Sequence, residues 1–119
     1  MKYMFLIYET EEDWGDSSEA ARGRFVGEYT LLIQRLKSHG NYLGGAQLRT
    51  IESATSLRIR NGKRLLTDGP FAETHEQLCG CYIIEAEHLD EALDIAAQIP
   101  SARFGTVEVR PIVESTLAI

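Results

Sequence analysis

The sequence predicts one α+β domain with a ferredoxin-like βαββαβ order: a mainly antiparallel sheet with two helices on one face. Three observations predict it. Apolar and β-branched residues cluster in short runs, several alternating, at 2–8, 42–48, 54–60, 63–67, 78–85 and 105–110. Two stretches, 18–39 and 89–98, carry apolar residues at helical spacing instead. The first helix follows the first strand and the second precedes the last, an order that places both helices against an antiparallel sheet.

The chain has 119 residues, enough for one domain with its own core and no staples. The formal net charge of −6, with no basic run, argues against a nucleic-acid surface or docking on anionic lipid. The apolar start is too short to span a bilayer and runs into the acidic segment 9–13, so no signal peptide is expected. Cys79 and Cys81, two apart in a strand, should share a face and cannot readily bond each other. They read as reduced thiols of a cytoplasmic protein.

Lys2 to Tyr8 reads as a strand apolar on both faces, covered on both sides or placed at an oligomer interface. A polar loop with the single Trp14 follows. Asp16-Ser17-Ser18-Glu19 has capping-box spacing and opens a helix whose inner face is Phe25, Tyr29, Leu32, Ile33 and Leu36. Gly40 terminates it. Tyr42 to Leu48 is a strand in which Gly44-Gly45 is read as a simple bend in preference to a bulge or a close approach by another group. Asn61-Gly62 joins two further strands as a tight hairpin. Leu78 to Glu85 is a strand, with Gly80 allowing close backbone approach. Leu89, Ala92, Leu93 and Ala96 form the inner face of the second helix, and His88 starts it. Pro100 ends that helix, and Pro111 ends the last strand or marks an edge. Such a layout leaves one sheet face bare, so homodimerisation through it is expected.

The chemistry concentrates in residues 67–76, Thr67-Asp68-Gly69-Pro70-Phe71-Ala72-Glu73-Thr74-His75-Glu76. Gly69 and Pro70 make a turn. That turn either only shapes a loop or holds the Asp68 carboxylate at a cleft mouth as a general base, with Phe71 and Pro70 as walls. His75 is a candidate proton carrier oriented by Glu73. Trp14 and Tyr42 are candidates to line the pocket. Asp68, Glu73 and His75 lack paired metal-ligand spacing, and neither metal nor cofactor is expected.

Thr67 to Thr74 followed by Glu76 resembles the signature of the DGPF group of YCII-related proteins. Met1-Lys2-Tyr3-Met4, Gly44-Gly45 before Leu48, Tyr82-Ile83-Ile84-Glu85, Asp90-Glu91-Ala92 and Glu108-Val109-Arg110-Pro111 resemble the group's pattern too. The resemblance covers essentially the whole chain. It implies a ferredoxin-like fold and a dimeric α+β barrel. Most members have no assigned reaction. Some relatives look like small lyases acting on hydroxylated aromatics, with a His–Asp pair as the proposed centre. Genes of the group often neighbour those of extracytoplasmic-function sigma factors, which implies a regulatory context. His75 stands where the group usually has Lys, and Cys79 where it often has a small or apolar residue. Two functions are therefore expected: a cofactor-independent lyase or isomerase using Asp68, His75 and Glu73 on a small cyclic molecule, or a ligand-sensing module with a regulatory protein partner.

Overall fold

The computed structural model describes residues 1–10 and 18–114. Its elements are β1 (Lys2–Glu9), α1 (Glu19–Ser38), β2 (Tyr42–Gln47), β3 (Thr55–Arg60), β4 (Lys63–Asp68), β5 (Gln77–Glu85), α2 (Leu89–Ala96) and β6 (Thr106–Pro111). Single 3₁₀ turns lie at Ile51–Ser53 and Pro100–Arg103. Four strands form one antiparallel sheet in the order β2-β5-β1-β6. That is the ferredoxin-like arrangement the element order predicts. The β3–β4 hairpin is a separate two-stranded sheet rather than part of the main one.

Alternation fixes which face meets the helices. Tyr3, Phe5 and Ile7 of β1 are buried, and Ile84 of β5 joins them. Leu32 and Leu36 of α1, Ala92, Ile95 and Ala96 of α2, and Ile99 complete this core. The inner face of α2 is thus rotated from the expected one. Ala92 and Ala96 are buried as expected, but Ile95 takes the third place, and Leu89 and Leu93 are nearly half exposed. The helix is only eight residues long, and two alanines with one isoleucine already fill the space over the sheet.

The helix ends follow local chemistry. Ser18 caps α1, its hydroxyl accepting from the Ala21 N–H at 3.1 Å; Asp16 and Ser17 lie outside the described residues. Gly40 adopts φ 78°. The Gly40 and Asn41 N–H groups then reach back to the Lys37 and Leu36 carbonyls, closing the helix with a left-handed glycine. His88 caps α2, its Nδ1 accepting from the Glu91 N–H at 3.2 Å.

Two irregularities shape the sheet beside α1. The β2–β5 register shifts between Tyr42 and Gly44. At Gly45 an added Cβ would lie 2.2 Å from the Tyr82 ring, so the glycine pair marks a bulge and a close approach rather than a simple bend. The β1–β5 register shifts between Ile7 and Tyr8, leaving Cys79 as the extra residue. The same-face expectation for the two thiols therefore fails. Cys79 turns to the α1 side, where its thiol donates to the Ile7 carbonyl at 3.3 Å, while Cys81 pairs with Leu6 on the other face. Both thiols are free.

Candidate functional site

The N-terminal half of α1 stands off the sheet, and a cavity of about 780 Å³ lies between them. This is within the range that holds a small organic ligand. Its walls are Phe25, Tyr29 and Ile33 from α1, Tyr42 from β2, and Cys79 and Tyr82 from β5. Glu9, Arg22, Gln47, Arg49 and Gln77 add polar groups. The aromatic wall is a connected set. The Tyr82 ring lies 5.7 Å from Tyr42 and 6.3 Å from Tyr29, and Phe25 meets Tyr29 edge-on at 5.2 Å. Gly45 makes the set possible, since any side chain there would displace Tyr82.

A polar chain runs through this region. Ser101, in the 3₁₀ turn after α2, is completely buried. Its hydroxyl donates to the Glu9 carboxylate and lies 2.5 Å from the Tyr29 hydroxyl. A serine has one hydroxyl proton. With that proton on Glu9, the Tyr29 O–H must be the donor to Ser101 Oγ. The Tyr29 oxygen then keeps its lone pairs for another group. Burial pushes the Tyr29 hydroxyl up to about 12 and, with the Glu9 carboxylate nearby, the Cys79 thiol also to about 12. Burial, then the neighbouring Tyr29 and Tyr42, raises Tyr82 as well. Tyr29, Cys79 and Tyr82 are therefore neutral near pH 7, and Cys79 is not poised as a thiolate nucleophile.

The 67–76 segment lies elsewhere. Asp68 ends β4, and Gly69 turns the chain with φ 92°. What holds this turn is the Gly69 N–H on the Ala54 carbonyl at 2.7 Å and the Ser56 hydroxyl on the Gly69 carbonyl at 2.8 Å. Asp68, Pro70, Phe71, Glu73 and His75 are all exposed, and none lines the cavity. Phe71 lies against the Arg58 guanidinium, 5.8 Å from its ring centroid, yet is 76% exposed. Glu76 accepts from the Thr106 hydroxyl at 2.8 Å, tying the end of the segment to β6. Among the pocket candidates Tyr42 lines the cavity, and Trp14 lies outside the described residues. Among the described residues, no three His, Cys, Asp or Glu side chains converge as a metal would require. No described helix is long and apolar enough to cross a membrane.

Glu9, Tyr29, Ser101 and Tyr82 were not legible as a group. Tyr29 and Tyr82 did carry a signal, because a buried tyrosine needs a partner for its hydroxyl. Ser101 carried none.

Comparison with known proteins matches nearly the whole chain. The YCII-related domain model matches residues 1–116. An uncharacterized protein of Rhizobium meliloti (strain 1021) is 35% identical over 114 residues, spanning 94% of this chain and 92% of that protein.

Proposed function

The chain belongs to the YCII-related domain family, and we propose a function from the cavity. The protein binds a small cyclic or aromatic molecule bearing hydroxyl groups between α1 and the sheet. One observation carries this reading: an aromatic-walled space of about 780 Å³ with a Tyr29–Ser101–Glu9 chain beside it. The ring of such a ligand suits Phe25, Tyr42 and Tyr82. Its hydroxyl donates to the Tyr29 oxygen, whose own proton is committed to Ser101. The chain supplies a route by which a ligand proton is shared toward Glu9, which is what a cofactor-independent lyase or isomerase would use. A ligand sensor would use the same contacts to order the α1 end of the site, and a regulatory protein would read that change. The exposed sheet face, with Met4, Leu6, Cys81 and Ile83 half-buried at its centre, supports pairing with a second copy.

Thermal shift against a panel of hydroxylated aromatics and cyclic acids tests the reading. At least one compound should raise the melting temperature of the wild type. Ile33→Trp, which fills the cavity from α1, should remove that response while leaving the protein folded. A response that survives Ile33→Trp but is lost in Asp68→Asn or His75→Ala would move the site to the exposed loop and overturn the proposal.

A further inference from the structure

We infer that the ligand of the cavity is an acid, a ring with a hydroxyl at one end and a carboxylate at the other, and that Arg49 holds the carboxylate. This takes the cavity as the ligand site and adds the charge its occupant carries. The charged side chains among the described lining residues are Glu9, Arg22 and Arg49. Glu9 accepts from the Ser101 hydroxyl, and both Glu9 and Arg22 have further interactions. Arg49 differs. The ion pairs among the described residues join Met1 to Glu85, Arg103 to Glu28 and Arg110 to Glu108, so no described carboxylate pairs with Arg49. An arginine cannot shed its charge, and its planar fork of N–H donors matches the two oxygens of a carboxylate.

The backbone around Arg49 is held on both sides. The Leu48 N–H donates to the Cys79 carbonyl at 2.9 Å. The Ser53 N–H and hydroxyl both close on the Thr50 carbonyl, at 3.1 and 2.8 Å. Gln47, Leu48, Arg49 and Thr50 line the cavity and also a more open recess beside it, which puts the exposed Arg49 at the mouth. Sheet order sets the span across the site. Glu9 ends β1 and Arg49 follows β2, with β5 between them. Two strand spacings are about 10 Å. One aromatic ring with a hydrogen bond of about 2.8 Å at each end bridges that distance. The two ends differ in kind. The Tyr29 oxygen accepts, because its proton is on Ser101, and the Glu9 carboxylate beyond Ser101 disfavours an anion there. Arg49 can only donate. A hydroxyl and a carboxylate on opposite sides of one ring satisfy both ends, and in one orientation. The chain as a whole carries −6 and repels acids, so Arg49 supplies the local cation that lets one settle.

Titration of the full chain with para-hydroxybenzoate and with its neutral counterpart para-hydroxybenzamide, followed by backbone amide NMR shifts, tests this. The wild type should bind the acid about tenfold or more tighter than the amide. Raised salt should shrink that preference. Arg49→Gln should remove most of it, and Arg49→Lys should keep part of it. Neither substitution should move the melting temperature of the ligand-free protein, since no described carboxylate pairs with Arg49. Ile33→Trp should abolish binding of both probes. Equal binding of acid and amide would overturn the carboxylate and leave the cavity reading standing. A preference for the acid that survives Arg49→Gln would remove Arg49 from the site, and one that survives Ile33→Trp would place the acid outside the cavity. Binding of neither probe would sink the inference together with the cavity reading.

Discussion

Ser101→Ala should destabilise the fold far more than loss of one small hydroxyl suggests. The side chain is fully buried and joins two polar groups, the Tyr29 hydroxyl at 2.5 Å and the Glu9 carboxylate. Alanine removes both partners' contact at once. A buried polar group stripped of its partner costs about 1–3 kcal/mol. Tyr29 borders a cavity that water can enter and Glu9 keeps other interactions, so the loss is about 1–2 kcal/mol. A chain of this length unfolds with an entropy near 250 cal/mol/K at its midpoint, so the melting temperature should fall by about 4–8 °C. Tyr29→Phe should cost less, about 1 kcal/mol, because Ser101 keeps Glu9. The two are in contact, so the double variant should fall short of the summed single effects by roughly 1 kcal/mol. Urea denaturation of the four proteins measures this cycle. A Ser101→Ala loss below about 0.5 kcal/mol, or strict additivity, would refute the buried chain.

Three further outcomes follow from the same structure. Gly105→Ala should lose about 2–3 kcal/mol in denaturant titration, because its Cβ would lie 2.1 Å from the Tyr8 carbonyl oxygen, a backbone atom that cannot swing away. Gly23→Ala in α1 meets nothing within 4 Å and should instead gain roughly 0.5–1 kcal/mol; equal effects at both sites would discredit the packing at Gly105. Alkaline pH should destabilise the fold. Cys79 and Tyr29 are held neutral above their usual 9.0 and 10.0, both reaching about 12. Raised values in the folded state mean stability that is fully present below pH 9 and lost as pH climbs toward 12. Thermal melts from pH 8 upward read this directly, and iodoacetamide labelling of the Cys79 peptide should lag a free thiol at pH 9; a flat stability profile across that range contradicts the burial.

The fold was legible because its signals are local and repeat. Alternation in Tyr3, Phe5 and Ile7, the spacing from Tyr29 to Leu36, and the Asn61-Gly62 turn each act within a few residues, and each is realised. The inner face of α2 is ambiguous in sequence because Leu89, Ala92, Leu93 and Ala96 fit helical spacing as well as Ala92, Ile95 and Ala96 do; packing space decides between them. The cavity was less legible. It depends on Ser101 meeting Glu9 across 92 residues of chain, a pairing that periodicity does not carry. The 67–76 segment drew attention through its dense chemistry, and in the structure that density lies on an exposed turn between β4 and β5. Composition marks a segment, whereas enclosure is set by the elements on either side.

The extra residue at Cys79 has one more consequence. Side chains alternate along a strand, so one inserted position reverses parity for everything on one side of it. Two thiols that the spacing makes equivalent are thereby divided by the thickness of the sheet. An electrophile arriving in the α1 cleft meets Cys79, and one arriving at the open face meets Cys81. Damage or modification at one is invisible to the other, and the sheet itself keeps the two from closing a disulfide within one chain.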